Sequence, residues 1–424
     1  MGRLIEAVVP GRLGTSYRWL LSSSWVTNLS DGVAMAAGPL LVASLTTDPF
    51  LVALAALLRW APPLVFGLSA GVLSDRLNRR RIVLAANGFR VLVLAALVVL
   101  MVTGHVTASL ALAALGLLAT AEVFADNTSA TLAPMLVHRN DLAIANARIQ
   151  TGFITLNQLA GPPIGATLFA AGTVLPFVAQ TVIVMAGVLL VSRVVLPPNG
   201  ATVQKGSVTR DIIEGFRWTI HHAAVRTLAL TILIFNVTFG AAWGVLVLYA
   251  QQRLGLGPVG FGLLSTISAV GGLLGTALYG AITRRVSLGN VMRAGLIIET
   301  LTHLCLAVTT SPWVAGAIFF VFGAHAFIWG TTSITVRQRA VPMHLQGRVN
   351  SVNTICVFGG LVVGSAIGGA LATPYGVTAP FWFAFMGSAV FVLALWREMT
   401  RIAHAEDTPV QRSTAVNQPA DLGV

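Results

Sequence analysis

The sequence predicts an all-α polytopic membrane protein, with twelve transmembrane helices in two six-helix, pseudo-symmetric halves. Three observations predict it. Of 424 residues, 56% are hydrophobic and only 9% are charged, and mean hydropathy is +0.83. Apolar runs of membrane-spanning length recur from Trp19 to Trp396. The basic residues fall almost entirely at alternate junctions between those runs. The alternating ten-residue segments of a transmembrane β-barrel are absent.

Taken in order, the spans are 19–46, 50–72, 82–103, 106–136, 149–171, 175–196, 227–251, 258–283, 289–310, 312–336, 351–372 and 377–396. The first is too long for the apolar core of a secretion signal and carries Asn28 and Asp31, so it reads as a retained span. Between spans 2 and 3 lies a short basic loop, Gly71-Val-Leu-Ser-Asp-Arg-Leu-Asn-Arg-Arg-Arg81. Residues 1–196 form the first half and residues 227–400 the second. The connection, 197–226, is polar, with Ile212, Ile213, Phe216 and Ile220 at helical spacing, which predicts an amphipathic helix on the membrane surface. The tail, 401–424, is polar, lacks periodicity and reads as disordered.

The net charge of +12 follows from loop placement. Of 26 Lys and Arg, Arg253 alone falls on the opposite side, and Arg59 and Arg90 lie inside spans. That division predicts both termini in the cytoplasm. Nucleic-acid binding is not expected, because the charges are spread over many loops and there is no soluble basic domain. Cys305 and Cys356 sit inside spans and read as small apolar fillers. No metal-ligand cluster and no phosphate-binding loop stands out, so neither a bound cofactor nor ATP-driven pumping is expected.

The halves repeat weakly. Pro134-Met-Leu-Val-His and Pro342-Met-His-Leu-Gln follow spans 4 and 10, and Gly71 and Gly280 precede the corresponding loops. The Gly161-Pro162-Pro163-Ile164-Gly165 stretch of span 5 has a glycine-rich counterpart, Gly359 to Gly369, in span 11.

With these residues in place, the chain resembles the major facilitator superfamily over nearly its whole length. Gly71, Leu73, Asp75, Arg76, Arg79 and Arg80 match that family's loop motif. Asn78 stands where the family has a second glycine, a change that asparagine's access to left-handed backbone tolerates. Leu142-Ala-Ile-Ala-Asn146-Ala147 and Gly347-Arg348-Val349 are similar to the bacterial branch of drug-efflux proteins and enterobactin exporters. Gly161, Pro162 and Gly165 resemble the span-5 motif of drug–proton antiporters, with Ala166 replacing its last glycine. The mid-span-4 arginine of that group is missing; Glu122 and Asp126 lie there instead. The resemblance implies a secondary active exporter of the bacterial plasma membrane, working as a monomer on a small amphipathic substrate by alternating access. The proton gradient would be its energy source, and Asp75 would latch the halves on the cytoplasmic side. A lipid or lysolipid flippase of the same fold is the second reading, and a non-transporting enzyme or receptor the third.

The residues that carry this chemistry are few. Asp31 lies near mid-membrane, where a carboxylate is expensive and must face a cavity or a partner. Arg59 and Arg90 are its natural partners; the group is either a protonation site or a fixed structural pair. Glu122 and Asp126, one turn apart, share a face and repel, while Asp126 is also placed to meet the arginines of the Gly71 loop. Glu299 and His303 are four apart on span 9, and His325 on span 10 reads as a packing residue. Asn28, Asn157, Asn236, Trp25, Phe153, Phe239, Trp243 and Trp329 are candidates to line a cavity for an amphipathic ligand, or else to pack between helices.

Overall fold

A computed structural model describes residues 11–196 and 208–396. Among these residues there are helices and no strand. The first half holds α1 (Thr15–Leu45), α2 (Pro49–Arg76), α3 (Arg79–Val102), α4 (Ala108–Leu136), α5 and α6 (Leu175–Val191). Three segments run on as α5: Leu142–Gly152, the wider π-helical turns Phe153–Ala160, and Gly161–Ala171. The connecting helix is α7 (Val208–His221). Then come α8 (Ala223–Gly244, continuing through Val245 into Leu246–Gln252), α9 (Pro258–Thr283), α10 (Leu288–Val308), α11 (Pro312–Ala340), α12 (Gln346–Tyr375) and α13 (Ala379–Leu395).

Nine of these helices have the length and apolarity to cross a membrane unaided. The interrupted α5 and the 17-residue α6 and α13 complete twelve crossings, 17 residues being near the minimum for about 30 Å of hydrocarbon. Helices α5 and α12 begin one to two turns before the apolar spans do, because polar residues extend them past the hydrocarbon. Starts are set by side chains that accept the first free amides: Asp48 from Phe50 N at 2.9 Å, Asn78 from Arg81 N at 3.2 Å, and Thr107 from Leu110 N at 3.3 Å. Asn78 therefore corrects the sequence reading. Its φ is −65°, not left-handed, and it replaces a glycine by capping α3.

Packing repeats between the halves. Helix α1 packs on α5 and α6, α2 on α4, and α3 on α4 and α6. Likewise α8 packs on α12 and α13, α9 on α11, and α10 on α11 and α13. The halves meet along two seams, α2 with α12 and α5 with α9. Glycines permit the closest crossings. A Cβ at Gly165 would overlap the Val33 carbonyl, and one at Gly161 the backbone of Gly32. In the second half, one at Gly364 would overlap the Val237 carbonyl.

The apolar core is shared unequally. One cluster runs through the ends of both halves farthest from the arginine-rich loops, joining Leu40, Val52 and Phe169 to Val247, Phe261 and Phe319. Toward the arginine-rich side the clusters separate: Tyr17, Leu21 and Leu132 in one half, Ile232, Met292 and Val336 in the other. The molecule is thus sealed at one end and parted at the other. Helix α7 docks on the second half through Arg348, whose Nε donates to Asp211 at 3.0 Å and whose Nη1 donates to Glu214 at 2.5 Å. Its Ile213, Phe216 and Ile220 are exposed along one face. The expected disordered tail, 401–424, and residues 197–207 lie outside the described residues.

Candidate functional site

Between the halves lies a cavity of about 420 Å³. Its two walls differ in chemistry. The first half contributes Arg59, Arg90, Glu122, Gln158 and Gln180; the second contributes Asn236, Phe239, Trp243, Phe319 and Phe322. The aromatic wall is one packed unit. Trp243 lies 4.3 Å from Phe239, 4.8 Å from Phe322 and 5.5 Å from Phe319, centroid to centroid.

Behind the charged wall, Asp31 and Arg90 form a buried ion pair, and Arg90 Nη1 also donates to Asn87 Oδ1 at 3.1 Å. Oxygens of Asp31, Glu122 and Asp126 lie within 4.8 Å of one another. Asp31 is buried, Glu122 is intermediate and Asp126 is exposed. At such separations two ionised carboxylates repel by about 3.5 kcal/mol, taking an effective dielectric constant of ~20. Arg90 and Arg59 offset part of this. Arg59 lines the cavity with its guanidinium 5.3 Å from the Trp60 ring. With all three carboxylates ionised, the cluster exceeds its two guanidiniums by one negative charge, which a single proton or a cation neutralises. Asp126 thus joins the carboxylate cluster and, among the described residues, forms no ion pair with the Gly71 loop.

The second half holds a different cluster. Glu299 is the only carboxylate between Glu214 and Glu398. Its oxygens lie 3.5 Å from His303 Nε2 and 3.7 Å from His325 Nδ1. All three side chains are buried, and His303 meets Trp243 edge-on at 6.1 Å. His325, which reads from sequence as a packing residue, belongs to this group.

The span-5 motif has a structural position. Gly161 and Gly165 let α1 press against α5, and a Cβ at Gly262 on α9 would meet the Pro162 carbonyl across the seam. Thr266 on α9 donates to the Leu159 carbonyl at 3.1 Å, within the π-helical turns.

Several cavity candidates sit elsewhere. Trp25 packs on Gly152 and donates to the Arg148 carbonyl at 3.0 Å, in the α1–α5 seam. Asn28 donates to Ser24 O at 2.8 Å on its own helix. Asn157 is buried at the Gly32 crossing, and its neighbour Gln158 faces the cavity instead. Phe153 is exposed on the π-helical turns, and Trp329 packs on Gly295 of α10. None of these five lines the central cavity. Helical spacing alone cannot say which face turns inward. Gln180, which the sequence reading does not single out, is buried, and its amide nitrogen has no hydrogen-bond partner among the described residues. A lone amide within the apolar run 175–196 was the available signal. Asp75 lies on the last turn of α2, and its side chain lies outside the described residues.

Comparison with known proteins agrees with this architecture. A family model described as "Transmembrane secretion effector" matches residues 9–422. The chain is 26% identical to the multidrug efflux pump Tap of Mycolicibacterium fortuitum over 381 residues, covering 85% of this chain and 90% of that protein. It is 24% identical to the enterobactin exporter EntS of Salmonella typhimurium over 398 residues, covering 91% and 93%. Its fold matches the inward-facing structure of a bacterial homologue of the iron transporter ferroportin with a TM-score of 0.73 at 18% identity, covering 91% of this chain and 99% of the other. Twelve crossings in this packing order, around a cavity between two halves and matched by that model over nearly the whole length, place the chain in the transmembrane secretion effector family of major facilitator superfamily transporters.

Proposed function

We propose that this transporter exports small amphipathic molecules bearing positive charge, in exchange for protons, across the bacterial plasma membrane. The observation that carries the reading is the divided cavity: Glu122, with Asp31 and Asp126 clustered beside it, lines one wall and stacked aromatics line the other. A lipophilic cation satisfies both walls, through ion pairing on one side and ring contacts on the other. A proton competes with it for the same carboxylates, which is the condition for exchange. The names of Tap and EntS support efflux; the charge of the cluster favours a drug-like cation over an anionic siderophore.

In the proposed cycle both termini and the arginine-rich loops are cytoplasmic, so the parted end opens to the cytoplasm. Substrate enters there and displaces the shared proton from Asp31, Glu122 and Asp126. The halves, 1–196 and 227–400, then rock about the α2–α12 and α5–α9 seams, with the 197–226 connection as their tether. The Gly71–Arg81 loop, with Asp75, closes the inner side in the alternate state. Glu299, shared by His303 and His325, is a second proton site, and the edge contact of His303 with Trp243 links it to the aromatic wall. The chain needs no cofactor beyond the gradient and acts as a monomer.

The test is uptake of ethidium into proteoliposomes with an imposed pH gradient. Gradient-driven accumulation that a protonophore abolishes is the expected result. Transport of the dye that ignores the gradient in both directions overturns the coupling.

A further inference from the structure

On the outer surface of the first half, α2 and α3 both pack on α4 and barely touch each other. A groove of about 590 Å³ opens between them. Its walls are apolar: Leu73 and Leu77 from α2, Ile82 and Phe89 from α3, Phe124 from α4. Its mouth, at the arginine-rich end, holds Arg81 and Asn78. Arg81 is exposed, and its guanidinium has no hydrogen-bond or ion-pair partner among the described residues. From Asn78 to Phe89 the lining stripe climbs about 16 Å at 1.5 Å per residue. That is half of the ~30 Å hydrocarbon core, the depth of one leaflet.

We propose that this groove binds one anionic phospholipid of the arginine-rich leaflet, its acyl chain against Phe89 and Phe124 and its phosphate on Arg81. Two independent features select this occupant. The groove's length matches a single acyl chain running inward from the headgroup level. The free guanidinium at its mouth supplies the charge that distinguishes an anionic lipid from a zwitterionic one. A bound lipid fills the gap between α2 and α3 directly below the Gly71–Arg81 loop, bracing the two helices that the loop joins. The site is separate from the central cavity and independent of cargo and coupling.

The test places a fluorescent reporter in the groove. Phe89→Trp protein is reconstituted with brominated phosphatidylglycerol or brominated phosphatidylcholine, and quenching of the added emission is read after subtracting the parent protein. About fivefold stronger binding of the phosphatidylglycerol is expected, since one arginine near the surface contributes ~1 kcal/mol toward an anionic lipid. Arg81→Gln removes the preference, and Arg81→Lys retains most of it. Leu92→Trp, on α3 but outside the groove, shows no preference. Phe124→Trp, on the opposite wall, is a second reporter read in the same way. Equal quenching by the two lipids at both groove reporters overturns the proposal. So does a preference that survives Arg81→Gln, or one equally strong at the Leu92→Trp reporter.

Discussion

Replacing Glu122 by glutamine tests whether the three carboxylates act as one proton-binding unit. The side chain keeps its shape and its place on the cavity wall but loses its charge. In the unaltered protein, a proton on this cluster relieves repulsion between oxygens no more than 4.8 Å apart. Each ionised pair costs about 3.5 kcal/mol at an effective dielectric constant of ~20. Arg90 and Arg59 screen part of that repulsion. The net expectation is that the cluster of the Glu122→Gln protein, with one repelling charge removed, gains less from taking up a proton. The assay is gradient-driven dye transport in proteoliposomes across a series of pH values, with dye exchange at zero gradient as a control for folding. The pH profile of the variant moves to the acid side, while exchange persists. An unmoved profile refutes the shared-proton argument and leaves Asp31–Arg90 as a structural lock.

Three further outcomes follow from the geometry. Arg90→Gln alone leaves Asp31 buried without its partner and lowers stability by about 3 to 5 kcal/mol, whereas the Asp31→Asn/Arg90→Gln double variant recovers most of that; thermal unfolding in detergent measures the difference. Gly165→Leu forces α1 away from α5, because even a Cβ meets the Val33 carbonyl, and the expected loss of at least ~2 kcal/mol is read as a lowered melting temperature and an aggregated fraction on size exclusion. Trp243→Ala removes the ring at the centre of the aromatic wall and weakens dye binding about tenfold, the effect of ~1.4 kcal/mol, while the pH profile of transport stays in place; a displaced profile there argues that Trp243 reports on Glu299 more than on substrate.

Much of the fold is legible because the membrane imposes it. A backbone in hydrocarbon must satisfy its own hydrogen bonds, so a long apolar run has one available form, the helix. Arginines remain where water is, which orders the runs in space. Asp31 stood out for the same reason, since a mid-span carboxylate demands a partner. The particular partner was not legible. Arg59 and Arg90 were equal candidates, and only packing gave the pair to Arg90 and turned Arg59 into the cavity. Trp25 and Trp243 are alike in sequence terms, yet one seals a helix seam and the other faces the chamber.

The sequence by itself determined how many times the chain crosses, which loops share a side, and that a few charges lie where charge is costly. These are one-dimensional properties, set by solvation along the chain. Tertiary structure alone decided that three carboxylates from two helices converge, that Glu299 gathers His303 and His325, and that the charged and aromatic walls face each other. Each is a meeting of residues far apart in sequence, and the rotation of each helix about its own axis, fixed by glycine crossings and interlocking side chains, determines which residues meet.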